Sequence, residues 1–152
     1  MDFAVLDFFL LLIAGALVTW SDLRRGLIPN WLNLAIAAVG LSKATILYGY
    51  TVGITVALEG LIIGAIAWLL RKVYFAARKR QGLGLGDVKL LAASAIWVGV
   101  AGIPVQLLVA SLTALAAAGV LQVAGQKMIW QTSLPFGPFL ALGLLIAFAF
   151  QQ

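Results

Sequence analysis

The chain has 152 residues, of which 64% are hydrophobic and only 10% charged, with no cysteine, no histidine and a net charge of +5. Soluble domains run at about 45–50% apolar and about 25% charged residues, so this composition is that of an integral membrane protein. Without Cys or His, thiol nucleophiles, Ser/His/Asp triads, Cys/His zinc sites and Cys/His haem ligation are all excluded.

A spanning helix needs roughly 20 apolar residues, and the apolar runs predict about six such helices. The first covers about residues 3–20 and ends at a polar turn, 22–29. Asp2 precedes that run and Asp7 lies within it, with no Lys or Arg ahead, so no secretory signal is expected. Pro29 and Asn30 punctuate the chain, and a second helix follows over residues 31–47, with Tyr48 and Tyr50 at interface depth. The third, residues 52–70, contains Glu59 and the small-residue face Gly60-x-x-x-Gly64. A basic loop from Arg71 to Arg80 leads into a glycine-rich segment. No charge then occurs from Leu90 to Gln126, a stretch long for one span and tight for two. A turn over residues 99–104 would split it into helices at 87–100 and 104–123, and a sixth covers 135–150. The expected fold is an all-α polytopic membrane protein, one membrane-embedded domain over residues 1–152.

Six spans place three connections on one side: residues 22–30, 71–86 and 125–134. These loops and the adjoining helix ends carry Arg24, Arg25, Arg71, Lys72, Arg78, Lys79, Arg80, Lys89 and Lys127. Only Lys43 falls toward the other side, where snorkelling is the default expectation. The positive-inside rule makes the basic side cytoplasmic and puts both termini outside. Topology thus accounts for the net charge, and no nucleic-acid motif is present. The basic loops are read as anchors, with anionic lipid as a contact.

Acidic residues number only five, and a carboxylate beside hydrocarbon is a functional candidate by default. Asp22 and Asp87 each lie at the edge of an apolar span, framed by turn residues, and the topology brings both to the same face. Two carboxylates sharing a proton are the minimal equipment for activating water against a peptide bond. Gly82, Gly84 and Gly86 alternate ahead of Asp87, and glycine permits close backbone approach. A dinucleotide fingerprint would need a glycine at position 87, and a P-loop would need Gly-Lys-Ser/Thr. The plain structural alternative is a flexible loop with Asp87 as a helix N-cap. Opposed helix ends would leave a shared proton mainly on Asp22. Glu59 lies about 16–18 Å along a straight helix from the basic end, which suits a polar interhelix contact. A small transporter or channel using Asp22, Asp87 and Glu59 as a cation path is a second functional reading.

Gly84-Leu85-Gly86-Asp87 matches the Gly-x-Gly-Asp signature of membrane aspartyl proteases. Three longer strings, in order, resemble the type IV prepilin peptidases: Asp22-Leu23-Arg24-Arg25-Gly26-Leu27-Ile28-Pro29-Asn30, Gly84-Leu85-Gly86-Asp87-Val88-Lys89-Leu90-Leu91-Ala92 and Pro135-Phe136-Gly137-Pro138-Phe139-Leu140-Ala141-Leu142-Gly143. The resemblance implies an aspartic endopeptidase of the bacterial inner membrane. Asp22 and Asp87 would be catalytic, Gly84 and Gly86 would form the active-site loop, and no metal or cofactor would be needed. The substrates would be prepilin-like precursors, cut at the cytoplasmic face after a glycine, just ahead of their hydrophobic helix. Pro135, Phe136, Gly137 and Pro138 are expected to lie near Asp87 and hold an unwound substrate strand. Longer family members carry an N-terminal segment with Cys-x-x-Cys pairs and methylate the new N-terminus. The absence of cysteine here suggests a short, peptidase-only form.

Overall fold

Apolar side chains occupy almost every helical position, so each helix must find a protein or lipid neighbour on all its faces. The computed structural model describes residues 3–79, 83–125 and 135–151. Asp2, Arg80, Gly82 and Lys127, named above, lie outside them. Five helices form: α1 (Phe3–Arg25), α2 (Asn30–Tyr48), α3 (Tyr50–Arg78), α4 (Leu85–Val123) and α5 (Gly137–Ala149). The first four are each long and apolar enough to cross a membrane. A buried seam of Leu11, Val18, Leu90, Ala95, Ala110 and Leu140 runs through the bundle. Ile46, Leu61, Leu108, Leu115 and Val120 stay exposed, as lipid-facing side chains do. Helix α4 packs against α2, α3 and α5, while α1 packs against α5 and α2.

Two helices run further than the sequence suggested. Nothing between Ser21 and Arg25 breaks a helix, so α1 continues through Asp22, and the aspartate lies in its last turn rather than in a loop. The stop is Gly26, at φ 62°, whose N–H bonds the Asp22 carbonyl at 2.8 Å. Helix α3 continues through Arg71–Arg78, the stretch expected to be a basic loop, because charge does not end a helix that leaves the hydrocarbon. Its 29 residues rise about 43 Å against a hydrocarbon layer of about 30 Å. Lys79, in the left-handed conformation at φ 51°, terminates it.

The long α4 is broken at one residue, Gly99, with φ 64° and ψ 174°. Gln106 Nε2 donates to Ser94 Oγ at 3.0 Å, although a straight helix would separate these residues by about 18 Å. The two arms of α4 therefore fold back on each other as a hairpin. The expected turn over 99–104 shrinks to a single glycine, and Pro104 lies inside the second arm. The break frees backbone groups, and neighbouring side chains pair them. Glu59 Oε2 of α3 accepts the Val100 N–H at 3.2 Å, and Gln151 Nε2 donates to the Val98 carbonyl at 2.8 Å.

Lys43 does not snorkel. It is ion-paired with the buried Asp7 of α1 and lies 5.5 Å from the Trp97 ring centroid. A carboxylate one helix away offers the ammonium a nearer partner than the interface. Removing either charge alone strands the other, so Asp7→Leu or Lys43→Met should each cost on the order of 3 kcal/mol. The Asp7→Leu/Lys43→Met pair should recover most of that loss. Thermal unfolding in detergent, run as a double-mutant cycle, measures both effects.

Candidate active site

The site forms where three distant pieces of sequence converge at one end of the bundle. Asp22, in the last turn of α1, is buried, with 8% of its surface exposed. Its Oδ2 accepts the Gly137 N–H at 2.9 Å. Gly137 opens α5, so the aspartate satisfies one of the amide donors that every helix N-terminus leaves unpaired. Pro138 follows in the first turn, where a missing N–H carries no penalty. A Cβ on Gly137 would sit 2.6 Å from Asp22 Oδ2 and 3.0 Å from its Cγ, so only glycine admits this contact.

Asp87 lies in the first turn of α4, half-buried, where the positive end of the helix dipole favours a carboxylate. Its Oδ2 accepts the Gly84 N–H at 3.3 Å. Gly86, the residue before Asp87, packs on Ile28 of the connection that follows Asp22, so the two carboxyl groups share one end of the bundle. Each carboxylate accepts one backbone N–H, so these hydrogen bonds do not by themselves assign a shared proton to either aspartate.

The glycines ahead of Asp87 have separate tasks. A Cβ on Gly84 would lie 3.0 Å from Asp87 Oδ2. A Cβ on Gly86 would lie 3.0 Å from Ile28 Cβ, so its absence lets α4 begin against the loop that follows Asp22. Two polar contacts reinforce that junction. Lys89 Nζ donates to Asn30 Oδ1 at 2.7 Å, and Asn33 Nδ2 donates to the Gly86 carbonyl at 3.4 Å. Lys89 thus ties the start of α4 to α2.

The segment 135–138 meets the site at Asp22, where it was expected beside Asp87. The Gly137 amide is already used by that carboxylate. Glu59 joins neither aspartate, being engaged at the α4 break, so the structure does not string the three acids into one cation path. Among the described residues, no three His, Cys, Asp or Glu side chains gather as metal ligands would. In the sequence, Asn30 reads as a helix-start signal and as the last residue of a motif string, without its partner Lys89. Asn33 is missed there, although an Asn one turn on in an apolar helix is a visible anomaly.

These features define a helical membrane bundle that holds two aspartates and backbone amides together at one end. The chain belongs to the type IV leader peptidase family, whose sequence pattern matches residues 9–119. It is 35% identical over 130 residues to a prepilin leader peptidase/N-methyltransferase of Escherichia coli, covering 82% of this chain and 54% of that protein. The protein of that name from Burkholderia pseudomallei is 34% identical over 134 residues, covering 86% and 42%. That from Aeromonas salmonicida is 34% identical over 147 residues, covering 89% and 48%. The chain therefore spans about half the length of these curated relatives. No solved structure matches it.

The Asp22–Gly137 contact yields a stability test. Gly137→Ala must push the carboxylate aside and break a buried hydrogen bond, at a cost of about 1–3 kcal/mol. Gly119, also helical, has nothing within 4 Å of an added Cβ. Gly119→Ala should be neutral or stabilising by up to about 1 kcal/mol, from helix propensity alone. Thermal unfolding of the two variants in the same detergent checks the contrast.

Proposed function

We infer that this chain is an aspartic endopeptidase that removes the leader peptide of prepilin-like precursors. The observation that carries this reading is that both motif aspartates, Asp22 in the last turn of α1 and Asp87 in the first turn of α4, stand at helix ends joined by the Gly86–Ile28 contact. A water between them attacks the scissile carbonyl. One carboxylate takes the water proton, and the other donates to the carbonyl oxygen and then to the leaving amine. The reaction runs on carboxyl groups and backbone amides and needs no metal or cofactor. The names of the relatives supply the substrate class, and the three motifs, present together, support carrying it to this chain.

The fold supports a polytopic arrangement of six spans within a single peptidase domain. In this proposal the two arms of α4 count separately, the 13-residue α5 is the sixth span, and both termini are placed outside. Arg24, Arg25 and Lys89 lie on the aspartate-bearing ends of α1 and α4, and Arg71, Lys72 and Arg78 lie on the end of α3 that leads to Asp87. The positive-inside rule makes that end cytoplasmic, in the bacterial inner membrane. A precursor held in the same bilayer would then meet the aspartates where its helix leaves the membrane. We propose that the side chains of Phe136 and of Pro135 and Pro138, next to the Gly137–Asp22 contact, meet the extended substrate; the Gly137 N–H and the Phe136 carbonyl are already bonded within the protein.

Asp22→Asn and Asp87→Asn should each abolish cleavage of a membrane-inserted prepilin while leaving the fold intact, since asparagine keeps the shape of the side chain. Cleavage followed by gel shift, with thermal unfolding as the check on folding, gives the answer. Wild-type cleavage by either variant would contradict the two-aspartate mechanism.

A further inference from the structure

Beside the site, α2, α3 and α4 enclose a groove of about 630 Å³ that is open along one side. Its walls are mainly apolar, and small residues recur in them: Ala37 on α2, Ala57 and Gly60 on α3, Ala92 and Ala93 on α4. Small side chains are what allow another helix to approach closely in a membrane. One end of the groove is polar and formed by Asn30, Asn33 and Lys89, the residues that tie α2 to the start of α4. Asn33, in this polar end, bonds the Gly86 carbonyl, so the groove's polar end adjoins the backbone just before Asp87.

One atom in this lining is unexplained by the protein's own packing. Asn33 is 5% exposed, its Nδ2 is used by Gly86, and its Oδ1 has no hydrogen-bond partner. An orphan acceptor buried in an apolar setting costs free energy until a donor reaches it. A lipid acyl chain has no donor to offer. The first turn of a helix has several backbone N–H groups without internal partners, and its positive dipole end is drawn to an acceptor.

We propose that this groove receives the first turns of the precursor's hydrophobic helix, with the helix N-terminus at the Asn30–Lys89 end and a backbone N–H on Asn33 Oδ1. The proposal rests on the peptidase reading and adds to it the surface that holds the substrate. The direction fits the chemistry: the residues just before that helix, where the cut falls, arrive at Asp87. Specificity would then come partly from a membrane-embedded helix face rather than from the leader alone.

The chain has no native cysteine, which makes crosslinking clean. Leu34 and Leu61 line the groove and are each 70% exposed, so a cysteine at either is tolerated and reachable. Leu115, 71% exposed on the second arm of α4, is the control. Leu34→Cys, Leu61→Cys and Leu115→Cys are placed in an Asp87→Asn background, which holds the precursor uncut. Each is reconstituted with a prepilin carrying single cysteines along the start of its hydrophobic helix, and a short bifunctional thiol reagent is added. Crosslinks should form from positions 34 and 61, recur at helical spacing on one face of the precursor, and be absent from position 115. Separately, Ala57→Phe, which fills the groove away from the aspartates, should raise KM for the membrane-inserted precursor about tenfold with a smaller change in kcat. Equal crosslinking from all three positions, or none from 34 and 61, overturns the groove, as does an unchanged KM. The parent chain is assayed for cleavage in the same vesicles. Cleavage without groove crosslinks leaves the peptidase reading standing, whereas no cleavage at all overturns both.

Discussion

Asp22 caps a helix that begins 115 residues further along the chain. That single bond between Oδ2 and the Gly137 amide joins the end of α1 to the start of α5, and it satisfies two demands together. A carboxylate buried at the edge of hydrocarbon needs a donor, and a helix N-terminus needs an acceptor. Each answers the other only because residue 137 has no side chain. The start of α4 is fixed against the same α1–α2 connection by Gly86 on Ile28 and by Lys89 on Asn30. The relative placement of the two aspartates therefore follows from backbone contacts at three glycines and one lysine–asparagine bond. The aspartates themselves need make no direct contact for their charges to be coupled.

The remaining polar side chains of the bundle mostly do the same kind of work. Glu59 and Gln151 complete the hydrogen bonding at the Gly99 break, and Gln106 ties Ser94 to the Leu140 carbonyl of α5. Trp97 donates its indole N–H to the Ile36 carbonyl at 2.9 Å. In a medium that offers no hydrogen bonds, these contacts decide where a helix can break and which helices stay together. The hairpin in α4 has a direct consequence for the site. It turns the first arm, which begins with Asp87, into a short segment braced by α2, α3 and α5, so that the carboxylate projects from a supported helix and not from a free loop.

Much of this arrangement was legible in the residues. Apolar runs and turn signals located the helical segments, and the parity of spans placed Asp22 and Asp87 at one end. Helix ends were less legible, because Arg and Lys form helices readily and signal an interface only by their charge. The reading therefore stopped α1 before Asp22 and α3 before Arg71, while the true stops were backbone events at Gly26 and Lys79. The long-range partners were not legible at all. Nothing local to Gly137 says that its amide faces Asp22, nothing in Lys43 says that Asp7 is its neighbour, and Glu59 could not be matched to Val100 without knowing that α4 breaks at Gly99. In each case the deciding quantity is a distance between segments that no spacing along the chain encodes.

The central claim is that Asp22 and Asp87 behave as one electrostatic unit. Isotope-edited infrared spectroscopy of labelled aspartate follows each carboxyl group as pH is varied, in the folded protein and with no substrate present. Coupled groups titrate as a pair, so the apparent titration of Asp87 must move when Asp22 is replaced by asparagine. The account predicts that shift in Asp22→Asn. An Asp87 titration identical in the parent chain and in Asp22→Asn would contradict it, because the two carboxylates would then be too far apart to share a water.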